Sequence, residues 1–316
     1  MSIDSRKVVV IGCGFVGSSS AFALMQSKLF SEMVLIDADH RRAEGEAMDI
    51  SHGMAFASPM KIYAGDYDDI SDAAVIVITA GANQKPDETR LDLIKKNSAI
   101  MKSIIGEIKK RPFEGILLIV SNPVDILTYI ALKESGYPAN RVIGSGTVLD
   151  TGRFRHELGE HLGVDSRSVH AFIIGEHGDS ELAAWSHARV GGMPIHDFCE
   201  LRGHHDHEAA MEKIFNSVKN SAYEIIARKH ATYYGIAMAV CRICAAIVRN
   251  EQSILPVSSL MTGEYGLQDV VLSIPAVVDE NGIETVVPIA LNEKELTELK
   301  NSAEVLKKVI SEFYSL

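Results

Sequence analysis

The chain has 316 residues, 47% hydrophobic and 23% charged, a composition typical of a folded globular enzyme. Its formal net charge of −11, with no long basic run, argues against nucleic acid as a partner. No stretch reaches the roughly 18 apolar residues of a membrane span, and no signal peptide is recognisable, so we expect no membrane partner and a cytoplasmic location. Four cysteines in a chain of this length predict reduced thiols rather than a disulfide framework.

The first half of the chain alternates β-branched apolar runs with polar segments of helical spacing. Strands buried on both faces of a parallel sheet are predicted at 7–12, 33–37, 73–82 and 115–123. Helices are predicted at 15–28, 41–55 and 91–110. This repeated β-α pattern predicts an α/β fold, with a doubly wound parallel sheet of the Rossmann type as an NAD-binding domain over residues 1–145.

The second half has a different pattern of apolar and polar residues and is predicted to be a mixed α+β substrate-binding domain over residues 146–316. A helix is expected at 151–164, a strand ending in a polar loop at 169–179, and a long helical region at 208–249. The segment 269–291 predicts a β-hairpin with Asn281 and Gly282 at its turn. The tail from 293 to 315 is amphipathic and predicted to be helical.

A glycine motif lies between the first predicted strand and helix. Gly12, Gly14 and Gly17 follow the pattern G-x-G-x-x-G, and Asp37 ends the next strand twenty residues later. Glycines at these positions let the backbone approach a pyrophosphate, and an acidic side chain at that distance can bind a ribose diol. Because its charge would repel a 2′-phosphate, Asp37 favours NAD over NADP. The alternative is an ordinary tight turn with Asp37 as an acid at the end of a strand.

Several polar residues follow the predicted strands. Arg90 lies in a charged loop that could close as a lid, although an isolated loop arginine is more often simply solvated. On the predicted helix Asp150 and Arg153 share a face and could form no more than an intrahelical ion pair, while Arg155 lies about 200° around from Arg153. His177, in "GEHGDS", is a natural acid or base near neutral pH, but a lone loop histidine is more often structural.

Metal and thiol sites are disfavoured. His156 and His161 are five residues apart, whereas a zinc-protease helix places its histidines four apart. The histidine-rich run at 204–208 is interpreted as a surface connection and not as a metal site. Cys241 and Cys244 have redox spacing but lie inside an apolar helical pattern. We therefore predict no metal site and no redox thiol pair.

Taken together, the motifs closely resemble those of bacterial L-lactate dehydrogenases of the lactate/malate dehydrogenase superfamily. The motifs that carry the resemblance, in order, are "GCGFVG", "VLID", "AGANQKPDETR", "SNPVD", "GSGTVLDTGRFR", "IIGEHGDS" and "KHATYYGIA". The resemblance as a whole runs from about residue 6 to the C-terminal helix. The resemblance implies reversible hydride transfer between NADH and pyruvate, giving L-lactate.

The same resemblance implies roles for individual residues. His177 would exchange the substrate proton, Asp150 would stabilise its imidazolium form, and Arg90 would polarise the carbonyl. Substrate binding is expected at Gln84, Arg90, Asn122, Arg153 and Thr232. Cofactor binding is expected at Gly12, Gly14, Val16, Gly17, Asp37, Asn122 and Ile236.

Substrate choice is expected to depend on Gln84, which occupies a position where malate dehydrogenases of the superfamily carry arginine. Burying the second carboxylate of oxaloacetate without a cation would cost several kcal/mol, whereas pyruvate brings only a methyl group. Gln84 therefore favours pyruvate, with some activity on 2-ketobutyrate. A malate or broader 2-hydroxy acid dehydrogenase is the alternative enzyme. A catalytically silent NAD-binding protein of the same fold is the non-enzyme alternative.

The resemblance also implies regulation and assembly. Arg155 and His170 match a fructose 1,6-bisphosphate effector site that forms across a subunit interface of a homotetramer; an interface cation without an effector is the alternative. Two positions depart from the family pattern, since Asp87 and His230 each replace a usual glycine.

Overall fold

The structure is a computed structural model that describes residues 4–82 and 90–314. Its contacts divide the chain into two compact units, each built from three segments. Unit 1 comprises 1–145, 233–254 and 276–285, and unit 2 comprises 146–232, 255–275 and 286–316. The first segments divide after Ser145, where the sequence suggested a boundary. The sequence predicted one continuous second domain over residues 146–316. Two parts of that range, 233–254 and 276–285, belong to unit 1.

The predicted alternation of strands and helices is present in the described residues. The helices are α1 (Phe15–Ser27), α2 (His40–His52), α3 (Arg90–Ile108), α4 (Val124–Ser135), α5 (Val148–Leu162), α6 (Ile195–Leu201), α7 (His207–Lys229), α8 (Tyr234–Val248) and α9 (Glu293–Tyr314). The strands are β1 (Asp4–Ile11), β2 (Glu32–Ile36), β3 (Lys61–Ala64), β4 (Ala73–Ile78), β5 (Ile116–Ile119), β6 (Val142–Gly144), β7 (Val169–His170), β8 (Ile173–Ile174), β9 (Leu182–Ala183), β10 (Arg189–Val190), β11 (Met193–Pro194), β12 (Ser253–Thr262), β13 (Gln268–Asp279) and β14 (Gly282–Val286).

Unit 1 is organised around a parallel sheet with the strand order β3-β2-β1-β4-β5-β6. This is the order of a doubly wound dinucleotide-binding fold, in which ligands bind beyond the carboxyl ends of the strands. Every residue of β4 and β5 is buried, as their uninterrupted apolar sequences predict. The predicted Rossmann-type fold is therefore confirmed.

Two of these six parallel strands were not predicted. β3 carries a lysine and a tyrosine among its four residues and has no fully buried position. β6 has only three residues, all of which are buried. Neither segment has an apolar run long enough to stand out in the sequence, so their place in the sheet is set by pairing with β2 and β5.

Unit 2 has its own apolar core beneath α5. Phe154 of α5 is fully buried and meets Trp185 edge to face, with ring centroids 4.8 Å apart. The same core includes Leu158 and Leu162 one and two turns further along α5, together with residues of β7, β8 and α7. This apolar stripe fixes which face of α5 turns inward and therefore which polar residues lie beside it.

The predicted helical region at 208–249 is two helices. α7 ends at Lys229, and α8 begins at Tyr234. Between them His230 has φ +70°, a left-handed conformation that closes α7, and its N–H donates to the carbonyl of Ile226. The predicted long helical region is therefore present as two helices, because a residue in this conformation ends an α-helix.

The predicted hairpin near the C-terminus is present, with β13 and β14 as neighbours in the sheet. Residues 280 and 281 connect the strands, so the turn lies one residue earlier than the predicted Asn281-Gly282 pair. Gly282 opens β14 with φ +103°, and a Cβ there would overlap with the Asn140 carbonyl oxygen. This position therefore requires glycine.

No helix in the described ranges is both long enough and apolar enough to cross a membrane.

Candidate active site

The glycine motif of unit 1 forms a close-packed turn between β1 and α1. Gly12 has φ +98°, and a Cβ on it would overlap with the backbone of Ala80. A Cβ on Gly17 would overlap with the Gly12 carbonyl oxygen. Gly14 caps α1 and has open space where a side chain would project. Two glycines are thus needed for packing, and the third leaves the helix N-terminus accessible to a ligand phosphate.

Asp37 lies directly after β2 and is tied to this turn. Its Oδ2 accepts a hydrogen bond of 2.6 Å from the Cys13 backbone N–H, and its Oδ1 accepts one of 2.9 Å from the Asp39 N–H. Asp37, Gly12 and Gly14 line one cavity of about 590 Å³. A backbone cradle, an accessible helix N-terminus and an acid at the strand end fit a dinucleotide with an unphosphorylated ribose. Val16 is half-buried in the first turn of α1.

Asn122 is exposed between β5 and α4, at the carboxyl end of a parallel strand. Its carbonyl oxygen accepts a 2.8 Å hydrogen bond from Nδ2 of Asn97, a buried residue of α3. The Asn97 Oδ1 also accepts a 2.8 Å bond from the Ala82 N–H. Asn97 therefore connects two strand-end loops of unit 1. Sequence reasoning missed it, although an asparagine on the apolar stripe of α3 was a signal that could have been followed.

Three residues singled out in the sequence lie before or at the start of α3. Gln84 and Asp87 lie outside the described residues. Arg90 begins α3, and its side chain also lies outside them. Their assigned roles therefore stay predictions from the sequence.

The polar centre of unit 2 joins α5 to the loop that follows β8. His177 Nδ1 and Asp150 Oδ2 are 2.6 Å apart, which is a hydrogen-bond distance. Arg153 Nη1 donates a 2.8 Å bond to Asp150 Oδ1, so one carboxylate joins the histidine and the arginine. Asp150 is 2% exposed, whereas the His177 side chain is 26% exposed. The structure thus brings these three predicted residues together.

Asp150 occupies the first turn of α5, where the helix dipole favours an anion. Burial by itself would raise the pKa of this carboxyl, but the charges and hydrogen bonds of His177 and Arg153 outweigh burial and lower it below the ordinary value. Asp150 is therefore an anion throughout the neutral range. With its Nδ1 proton held by Asp150, His177 has Nε2 as the atom for proton exchange with a substrate.

Glu181 is a further member of this cluster that sequence reasoning missed. Its carboxylate, the Asp150 carboxylate and a His177 ring nitrogen lie within 4.8 Å of one another. Burial and the Asp150 charge raise the pKa of Glu181 to about 8. The three groups have a spacing that a metal could use, but Asp150 already bonds the Arg153 guanidinium, and the predicted absence of a metal stays a prediction.

The other predicted residues are placed within their own units. In unit 2, Thr232 follows α7 and is half-buried. In unit 1, Ile236 lies in the first turn of α8 and is also half-buried. Arg155 Nε donates a 3.0 Å bond to the Ala171 carbonyl, and His170 of β7 is exposed. Arg153 and Arg155 thus have different partners, as their helical separation predicts.

The four cysteines are buried and free of disulfides. Burial raises the pKa of the Cys241 thiol to about 11, so this thiol is protonated near neutral pH. Cys241 and Cys244 both lie inside α8, as the apolar pattern predicted.

Comparison with known proteins gives a consistent result over the whole chain. Residues 6–144 match the model of the lactate/malate dehydrogenase NAD binding domain, and residues 147–316 match that of the alpha/beta C-terminal domain of the same family. An L-lactate dehydrogenase of Acetivibrio thermocellus is 55% identical over 305 residues, covering 96% of each chain. L-lactate dehydrogenase 1 of Clostridium acetobutylicum is 51% identical, covering 98% of this chain and 99% of that protein.

A solved structure extends the likeness to three dimensions. The minor L-lactate dehydrogenase of Enterococcus mundtii, in a ligands-bound form, has a TM-score of 0.95 and 48% identity, with 98% of each chain covered. Matches of this extent, together with the glycine turn and the Asp150–His177 pair, show that the chain is an NAD-dependent dehydrogenase belonging to the lactate/malate dehydrogenase family.

Proposed function

We propose that this chain is an L-lactate dehydrogenase that reduces pyruvate to L-lactate and catalyses the reverse reaction. The observation that carries the proposal is the arrangement of His177, Asp150 and Arg153, which combines a proton donor with a cation suited to a carboxylate. Nearly full-length relatives with the printed name L-lactate dehydrogenase support it.

His177 and Asp150 have different roles in the proton transfer. His177 donates a proton from Nε2 to the keto oxygen as pyruvate is reduced, and takes one from the hydroxyl in the reverse direction. Asp150 holds Nδ1 and stabilises the imidazolium, since its charge persists at neutral pH. NADH, when bound, supplies the hydride that reduces the keto carbon.

Arginines supply the positive charge that an acidic protein needs for an anionic substrate. Arg153 binds the substrate carboxylate, for which the planar guanidinium suits a paired hydrogen bond. Arg90 polarises the carbonyl when its loop closes and excludes water. Asn122 and Thr232 help to place the substrate.

The nucleotide is held by residues of unit 1. Gly12, Gly14 and Gly17 form the turn at its pyrophosphate, with Val16 beside them. Asp37 binds the ribose diol, and Asn122 and Ile236 bind the nicotinamide end. The tight turn, the cavity and the amide-anchored carboxylate of Asp37 support this assignment.

One assay tests the substrate assignment. NADH oxidation is measured with pyruvate, 2-ketobutyrate and oxaloacetate at matched concentrations. Pyruvate should give the highest kcat/KM. The kcat/KM for 2-ketobutyrate should be lower by the equivalent of about 1–3 kcal/mol in activation free energy, and the kcat/KM for oxaloacetate should be lower by orders of magnitude. An oxaloacetate rate equal to the pyruvate rate would overturn the proposal in favour of a malate or broader 2-hydroxy acid dehydrogenase.

Regulation by fructose 1,6-bisphosphate is proposed at Arg155 and His170. Support comes from one contact, since Arg155 Nε bonds the carbonyl of Ala171, the residue that follows His170, whereas Arg153 bonds Asp150. The bisphosphate should lower the pyruvate concentration needed for half-maximal rate, and Arg155→Ala should weaken that effect. Identical saturation curves with and without the bisphosphate would contradict the assignment.

A homotetramer is proposed as the working assembly. In unit 1 the helices α1 and α8 leave Phe22, Tyr234 and Met238 about half or more exposed along one groove. Exposed apolar groups in one patch are typical of protein–protein interfaces. Sedimentation should give a tetramer, and Met238→Lys should weaken that tetramer. A monomer at micromolar concentration would contradict the proposed assembly.

The expected cytoplasmic location stays a prediction.

A further inference from the structure

Glu181 is a buried carboxyl beside the proton-exchanging histidine. It precedes β9 and is 8% exposed, and its backbone N–H donates to the Gly178 carbonyl at 3.1 Å. Its carboxylate lies within 4.8 Å of ligand atoms of both Asp150 and His177. Within the described ranges, no hydrogen bond to this carboxyl is found. A buried carboxyl without donors is much less stable as an anion than as an acid.

The charges around Glu181 come from three elements. Asp150 and Arg153 face it from α5, His177 faces it from its own loop, and Lys219 contributes from α7. The two oxygens of Asp150 already bond His177 and Arg153, so the nearest cations are shared with a competing carboxylate. Burial and the Asp150 charge therefore prevail over the three cations, and the pKa of Glu181 rises to about 8.

The protonation of Glu181 sets the net charge of the cluster formed with Asp150, His177 and Arg153, which an anionic substrate meets. With a neutral Glu181, the charges of Asp150, protonated His177 and Arg153 sum to one positive charge. Ionised Glu181 would cancel that charge and place a second carboxylate beside the substrate. Since two carboxylates at this distance resist joint ionisation, Asp150 keeps its charge and Glu181 keeps its proton.

We propose that Glu181 is a positioning residue that acts through the charge of the Asp150, His177 and Arg153 cluster, by keeping a second proton there while the keto acid binds. Loss of the His177 proton removes the proton donor. Loss of the Glu181 proton removes the favourable charge. Binding of the substrate thus requires both protons. This inference rests on the proposed function, because it assigns a keto acid anion to the cluster.

The pH profile of kcat/KM for pyruvate tests it, since this quantity reports on groups in the enzyme before pyruvate binds. It is measured at saturating NADH between about pH 6 and about pH 10. The wild type should approach a two-proton decline on the alkaline side, and Glu181→Gln should show a one-proton decline. Glu160→Gln, an exposed change on α5, should keep the two-proton decline. Equal limiting slopes in wild type and Glu181→Gln would overturn the inference.

Stability gives a second measurement. Because the pKa of Glu181 is raised from 4.5 to about 8, the unfolded chain binds fewer protons than the folded one between these values. The free energy of unfolding of the wild type should therefore fall relative to Glu181→Gln as the pH rises through this window. A pH-independent difference would contradict the inference.

A readout on the wild type covers the case in which Glu181→Gln does not fold. Infrared spectroscopy should detect a protonated buried carboxyl at neutral pH that is lost on titration above about pH 8. Absence of this carboxyl signal at neutral pH would overturn the inference. The infrared and stability measurements need no substrate, so failure of pyruvate turnover would count against the proposed function alone.

Discussion

Asp150 and His177 are 27 residues apart in sequence, yet Oδ2 of the first lies 2.6 Å from Nδ1 of the second. The bond joins the first turn of α5 to the loop after β8. The carboxylates beside His177 in sequence accept bonds from other side chains: Glu176 accepts one from Ser180, and Asp179 accepts one from Tyr223. The partner of the histidine is therefore chosen by the packing of unit 2.

Asp150→Asn should reduce kcat/KM for pyruvate by roughly 10²–10⁴-fold, the usual contribution of general acid–base catalysis. The amide has a similar shape but no charge to stabilise the imidazolium, and it can favour the wrong tautomer. NADH affinity should stay unchanged. Steady-state kinetics and NADH fluorescence titration measure both quantities. Asp165→Asn, an exposed carboxylate that bonds Arg167, serves as the control and should keep full activity. Full activity of Asp150→Asn would refute its role.

Gly17→Ala should weaken NADH binding by about tenfold or more, equivalent to ~1.4 kcal/mol, because a Cβ there overlaps with the Gly12 carbonyl and displaces the turn. The free energy of unfolding should fall by about 1–3 kcal/mol. Gly106→Ala is the matched control, since it lies in α3 with open space around it. That variant should keep its NADH affinity and gain up to about 1 kcal/mol of stability. Equal NADH affinities in the two variants would contradict the packing argument.

His230→Gly should raise the free energy of unfolding by about 1 kcal/mol. His230 adopts φ +70° at the end of α7, a conformation that glycine adopts without the Cβ penalty. Denaturant unfolding measures the change. His205→Gly, a change of the same type at an exposed residue without positive φ, should lower stability instead. A loss of stability in both variants would show that the histidine side chain compensates for its backbone.

Gln84→Arg should shift the preference toward oxaloacetate by roughly tenfold to a hundredfold, the range expected for about 1.5–3 kcal/mol from a hydrogen bond to a charged group. The ratio of kcat/KM for oxaloacetate to that for pyruvate measures the shift. Gln84→Glu places the opposite charge at the same position and should lower the ratio. An unchanged ratio in Gln84→Arg would mean that this residue does not contact the distal end of the substrate.

Local sequence was sufficient for the nucleotide-binding turn. The glycine spacing, the flanking strand and helix, and Asp37 at the next strand end are all set by short-range geometry, which is why they were recognisable in the sequence. The structure adds the reason for each glycine: packing for Gly12 and Gly17, and access for Gly14. Strands β3 and β6 were missed because their pairing partners, and not their own residues, determine them.

The sequence by itself determined the β-α alternation, the nucleotide turn, and the separate faces of Arg153 and Arg155, since these depend on residues close in the chain. The family resemblance had already assigned Asp150 to His177, but only the tertiary structure brought the two within hydrogen-bond distance. It alone also decided that Asn97 connects two loops and that Glu181 is buried beside Asp150 and His177. How deeply a side chain is buried, and which charged groups lie next to it, depend on which elements pack together. For the same reason the pKa of Glu181, raised by burial and by Asp150, could not be read from the residues around it in sequence.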